Sequence, residues 1–253
     1  MVGLIRAEFR KLRTTQVWFW MLLTCAGLTT LGVVGNVAGS ANDFDLQNRV
    51  HDVLISATAA ATYVPLFVLG VLAVTTEYRY QTITPTVLAT PSRWALMTAK
   101  LITYVVVGAV YALICLGVEL AVALPWLSAR HVNVSLGHNK GPLLSVFLVL
   151  SLFALVGIGV GALVRNQIVA VSVGVIFILV LDHLVALIPG VKYAYPYMLS
   201  GAVGAIVERT HSDARVINKV HLFAPAGGVA VLVAWALVTT ILGAGITMTR
   251  DIT

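Results

Sequence analysis

A chain of 253 residues in which 59% are hydrophobic and only 10% charged excludes a water-soluble globular fold, where roughly a quarter of the residues carry charge. Each crossing of a hydrocarbon core of roughly 30 Å takes about 20 apolar residues, so about five to seven helices fit and no room is left for a second, soluble domain. The formal charge of +6 does not point to nucleic acid. The basic residues flank apolar segments, where they orient helices and meet anionic headgroups.

Residues 2–13 place Val2, Ile5, Phe9 and Leu12 at helical spacing, with Arg6, Arg10, Lys11 and Arg13 over the rest of the surface. This pattern predicts an amphipathic helix in the headgroup layer, occupying residues 1–16. Six spans are expected after it, at about 17–37, 53–75, 94–124, 143–164, 168–188 and 225–249. Trp18 and Trp20 anchor the first at the interface, and Pro65 is expected to kink the second. The first apolar stretch is too long for the core of a signal peptide and is expected to stay as a membrane helix. The fold class is thus all-α and integral to the membrane, with six transmembrane helices behind an interfacial one. No internal repeat or pair of broken helices is visible.

Under this topology nine Lys and Arg residues lie on the side of the amino terminus and seven on the other. The seven are diluted over longer loops, and the strongest cluster precedes the first span, so both termini are expected in the cytoplasm. The outer side then carries loops near 38–52, 125–142 and 189–224. Within the last, residues 197–207 are mildly apolar and are expected to lie on, or dip into, the outer interface.

The informative stretch is the cytoplasmic connection 76–93, far longer than a bare turn requires. It reads Glu77-Tyr78-Arg79-Tyr80-Gln81-Thr82-Ile83 and continues through Leu88 to Pro91-Ser92-Arg93, with Pro85 and Pro91 limiting any helix between them. Lys100 follows in the next span. This constellation resembles the cytoplasmic loop of ABC-2 type transporter permeases. Those proteins carry an acidic residue at the end of the second helix, a Gly/Gln-Thr-Ile/Leu run, a Leu, a Pro-x-Arg and a Lys at the start of the third helix. Gln81 stands where many relatives have Gly, so the local turn is expected to differ. The amino-terminal amphipathic helix, the six spans, the long last outer loop and the ending Thr249-Arg250-Asp251-Ile252 extend the resemblance over the whole chain in outline.

The resemblance implies a non-enzymatic permease subunit of a bacterial ABC exporter in the cytoplasmic membrane. It would pair with a second copy or a related permease, and dock a separate ATPase that binds the ATP and Mg²⁺. Coupling would rest on Glu77, Tyr78, Arg79, Thr82, Leu88, Pro91 and Arg93, the prolines shaping the loop, Leu88 giving apolar contact and the charges setting register. The chain has no G-x-x-x-x-G-K-S/T phosphate loop of its own. Leu199-Ser200-Gly201 resembles the start of an ATPase signature only superficially, since it falls in an outer loop. The rivals are a transporter or channel that works without ATP, and a non-transporting membrane assembly or sensor protein. Beyond the loop, Glu119, Asp182 and His183 are ionisable residues within spans and so candidates for polar contacts between helices, or for a substrate or proton role. Gly157 and Gly161 have the small-residue spacing of close helix approach, within the chain or across a dimer. Cys25 and Cys115 fall inside apolar segments and read as small buried residues. The outer-side histidines, His51, His131, His138, His211 and His221, lack metal-ligand spacing, and no metal is expected.

Overall fold

A computed structural model of the chain describes residues 1–40, 42–81, 93–132, 134, 140–164, 166–188, 190–207 and 222–249. Among these, all regular structure is helical. The amphipathic segment forms α1 (Val2–Thr14), and the first apolar stretch forms α2 (Val17–Ala38). The expected second span is broken. Three short helices, α3 (Asp43–Asn48), α4 (Val50–Val53) and α5 (Ser56–Ala59), precede α6 (Tyr63–Arg79). The interruption falls at 60–62, where Ala61 takes a left-handed φ of 55°, and not at Pro65. That proline is the third residue of α6, where its missing N–H has no intrahelical acceptor to lose, so it starts the helix instead of kinking it.

Helix α6 also runs on through Glu77, Tyr78 and Arg79, which were expected in the loop. Helix α7 spans Arg93–Ala129 and passes through Pro125. At about 1.5 Å per residue it is far longer than a hydrocarbon core is thick. Helix α8 is Lys140–Leu163. The fifth apolar segment is α9 (Gln167–Ile176), capped by the Asn166 side chain, then a wide turn of π-helix over Phe177–Leu181, then α10 (Asp182–Leu187). A 3₁₀ turn (Lys192–Tyr197) leads into α11 (Leu199–Val207), and α12 (Pro225–Thr249) closes the fold. Residues 199–207 are helical. Most of α11 is buried, packed on the 3₁₀ turn and α12.

Five of these segments are long and apolar enough to cross a membrane: 17–38, 94–129, 140–163, 167–185 and 225–245. Helix α8 is the central post, with α6, α7 and α12 packed around it. Its glycines explain how. A side chain on Gly157 would run into the Phe67 carbonyl of α6 and face Gly70, and one on Gly161 would meet Val71 of α6. One on Gly159, turned the other way, would strike Thr239 of α12. Both neighbours thus approach to backbone distance, which only small residues permit. The close approach at Gly157 and Gly161 is made within the chain. Cys25 and Cys115 are buried free thiols. Outside the core, Leu31, Leu113, Ile168, Val173 and Ile241 are all exposed. So much apolar surface belongs against lipid and makes this a multi-pass membrane protein.

Candidate functional site

The two ends of the 80–92 connection are joined by a buried ion cluster. Glu8, Glu77 and Lys100 are only 4%, 5% and 2% exposed. Lys100 Nζ donates to Glu8 Oε2 and Glu77 Oε1, both at 2.8 Å, and to the Ala73 carbonyl at 3.1 Å. Its three protons thus have three acceptors. Lys11 Nζ, half exposed, closes the ring by donating to Glu77 Oε1 at 2.6 Å and Glu8 Oε1 at 3.0 Å. Two carboxylates and two ammoniums make a neutral set, which is what lets charge sit at this depth. Burial by itself would lower the Lys11 pKa. The hydrogen bond and charge of Glu77, with those of Glu8, outweigh it and hold the ammonium above its ordinary value.

The cluster ties α1, the last turn of α6 and the second turn of α7 at one point. Beside it, Arg79 Nη1 donates to Gln167 Oε1 at 3.2 Å and links the end of α6 to the start of α9. Tyr78 packs against the core. Gln81 takes a φ of 54°, the left-handed conformation that glycine adopts without strain and that commonly ends a helix. The local turn therefore has the backbone that a glycine favours, and glutamine tolerates it. Thr82, Leu88 and Pro91 lie outside the described residues. Arg93 opens α7, and its side chain is also outside them.

Sequence reasoning singled out Glu77 but missed Glu8 and undervalued Lys100. Both carry a signal. Glu8 is the sole acid of the first 16 residues and shares a helix face with Ile5 and Leu12; Lys100 interrupts the apolar run Leu96 to Ile102. A charge at an apolar register position is either an error or half of a buried pair.

The ionisable residues within the spans bind backbone at the interrupted elements. Glu119 of α7 is fully buried and accepts the Ala57 N–H of α5 at 3.1 Å. Asp182 Oδ2 accepts the Ser200 N–H of α11 at 2.6 Å, and the Ser200 hydroxyl lies 3.4 Å from His183 Nδ1. A helix that starts away from water leaves its first N–H groups in need of protein acceptors, and these carboxylates supply them. Each keeps one oxygen, Glu119 Oε2 and Asp182 Oδ1, without a partner among the described residues. Of the histidines, His51 faces the Val207 carbonyl, and His138, His211 and His221 lie outside the described residues. No group of three potential metal ligands occurs among the described residues.

Residues 4–181 match the sequence profile of a family described as ABC-2 family transporter protein. The chain belongs to the ABC-2 transporter family. The match runs from α1 through the π-helical turn, well over half of the sequence, and takes in Glu8, Lys11, Glu77, Lys100 and Glu119. Asp182 and His183 fall beyond it. No curated protein matches the chain. As an ABC-2 transporter protein it is a transport permease by family, and its ion cluster sits within the part that the family shares.

Proposed function

We propose that this ABC-2 protein is the membrane half of an ATP-driven exporter, taking its energy from a separate ATPase that docks on the 80–92 connection. Six spans would form the path: α2, the broken α5–α6 pair, α7, α8, the α9–α10 pair and α12. Helix α1 would lie in the cytoplasmic interface with both termini inside the cell. ATP and Mg²⁺ belong to the partner chain, and a second permease, identical or related, completes the pathway. The observation that carries this reading is the ion cluster. Glu77, in the last turn of the helix before the connection, and Lys100, two turns into the helix after it, share their charges with Glu8 and Lys11 of the interfacial helix. A push on the connection therefore moves α1, α6 and α7 as one body instead of bending a loop. A partner can drive such a change only through different affinity for the two arrangements, which nucleotide binding supplies on the ATPase.

The test is affinity purification of the tagged chain from native membranes, followed by ATP hydrolysis in the eluate. An ATPase subunit is expected to co-purify. Arg93→Glu and Leu88→Asp are each expected to lower hydrolysis at least tenfold while the chain still inserts and purifies in normal amount. A lone oligomer with no hydrolysing partner would favour an ATP-independent transporter or a non-transporting membrane protein, and variants that hydrolyse at the wild-type rate would rule out the 80–92 connection as the docking site.

A further inference from the structure

Helix α1 divides its charges between two faces. Glu8 and Lys11 turn inward to the ion cluster, whereas Arg6, Arg10 and Arg13, at i, i+4 and i+7, share another face. All three arginines are exposed, and none pairs with a carboxylate among the described residues. Beside Arg13 lies a cavity of about 330 Å³ between α1, α2 and α7. Its walls are Phe9 and Leu12 of α1, Trp18 and Leu22 of α2, and Val110 and Ile114 of α7, with Arg13 at the rim. Tyr111 also borders it, but its hydroxyl donates to the Trp18 carbonyl and presents only the ring. Two adjoining clefts share that rim. One, of about 480 Å³, is bounded by Arg6, Phe9, Arg10 and Arg13. The other, of about 430 Å³, is bounded by Arg13, Thr15, Gln16 and Trp18 among others. The Thr14 and Thr15 hydroxyls fold back onto carbonyls of α1. The guanidinium groups are left as the open cationic donors over an apolar slot.

We infer that this slot binds an anionic phospholipid, one acyl chain between α1, α2 and α7 and its phosphate against Arg6, Arg10 and Arg13. The chemistry fits at both ends. An acyl chain needs an apolar cleft with no unpaired polar group. A lipid phosphate needs arginines at headgroup depth, and planar guanidinium forks match its oxygens. A zwitterionic lipid would gain the slot but little from the rim. A free phosphate would gain the rim and nothing from the slot. The inference rests on α1 lying in the membrane interface and not on the ATPase. Because the inner face of α1 holds Glu77 and Lys100, lipid occupancy bears on the same helix that carries the ion cluster.

The experiment uses the full chain in mild detergent and quenching of Trp18 fluorescence by lipids with brominated acyl chains. Brominated phosphatidylglycerol is expected to quench saturably, at a mole fraction at least tenfold below brominated phosphatidylcholine, and Trp18→Phe should remove the saturable part. Each arginine near an anionic headgroup is worth about fivefold in binding, so R6Q/R10Q/R13Q should raise the phosphatidylglycerol needed by tenfold or more and leave phosphatidylcholine unchanged. Val110→Phe, at an exposed position that a larger ring does not disturb, should fill the slot and abolish saturation for both lipids. Should the triple variant fail to fold, Arg13→Gln alone should still shift the curve by about fivefold. Equal quenching by the two lipids, displacement of phosphatidylglycerol by millimolar inorganic phosphate, or indifference to Val110→Phe and Arg13→Gln would each overturn the assignment.

Discussion

Lys100 has no water to turn to, and its fate decides that of its partners. A buried ion pair need not stabilise a fold relative to apolar residues of the same shape, but removing one member strands the others. Lys100→Met leaves Glu8 and Glu77 sharing Lys11 alone, and we expect a loss of about 3–5 kcal/mol in denaturant titration of the purified protein. Lys11→Met should cost much less, because Lys11 is half exposed and screened by water. Adding Glu8→Gln to Lys100→Met restores neutrality, with Lys11 and Glu77 left as a simple pair. The double variant should therefore recover about 1–3 kcal/mol relative to the sum of the single ones. Strict additivity would mean that the four groups do not act as a unit. Little of this was legible in sequence. Glu8 has Lys11 three residues on and reads as a surface pair, while Lys100 reads as one more flanking positive charge. Only the contact across 92 positions shows that each is the other's reason for being buried.

Helices were easy to read and their interruptions were not. Long apolar runs bounded by charge locate α2, α7, α8 and α12 to within a few residues, and all but α7 have about the length that a hydrocarbon core requires. Residues 53–75 form just such a run, so the break at 60–62 left no trace: there is no glycine there, and Pro65 drew attention to the wrong place. Tertiary contact serves the interruption between α4 and α5: Glu119 takes the Ala57 N–H, which a continuous helix would have given to the Val53 carbonyl. The glycines of α8, by contrast, were visible as a pattern, though not the faces they serve. Their expected behaviour differs sharply from that of a lipid-facing glycine. Gly157→Ala sets a methyl against the Phe67 carbonyl and should force α6 and α8 apart, lowering stability by about 1–3 kcal/mol and the thermal midpoint with it. Gly27→Ala meets nothing within 4 Å and should be neutral or stabilising by up to about 1 kcal/mol, as alanine is in any open helix position. Equal midpoints for the two variants would refute the close packing of α6 on α8.

For the molecule as a whole the decisive quantity is which end faces the cell interior. The arginines of α1 and the ion cluster lie at one end of the bundle, with Tyr80 just past the end of α6. Helices α3 and α4 lie at the other, where they pack on the far ends of α2 and α7. In the proposed topology the end with the ion cluster faces the cytoplasm, as the basic residues next to the first span favour. Phe44 and Tyr80 are both well exposed and belong to opposite ends, so each can carry a cysteine reporter, and the native thiols, buried, give little background. In intact cells a membrane-impermeant maleimide should label Phe44→Cys fully, and Tyr80→Cys by less than about a tenth until the membrane is permeabilised. The reverse pattern would put the 80–92 connection outside, where no ATP-hydrolysing partner could reach it, and would move the arginine-rimmed slot to the outer leaflet. The ion cluster would still join three helices, but as a brace on the extracellular side, with nothing to drive it.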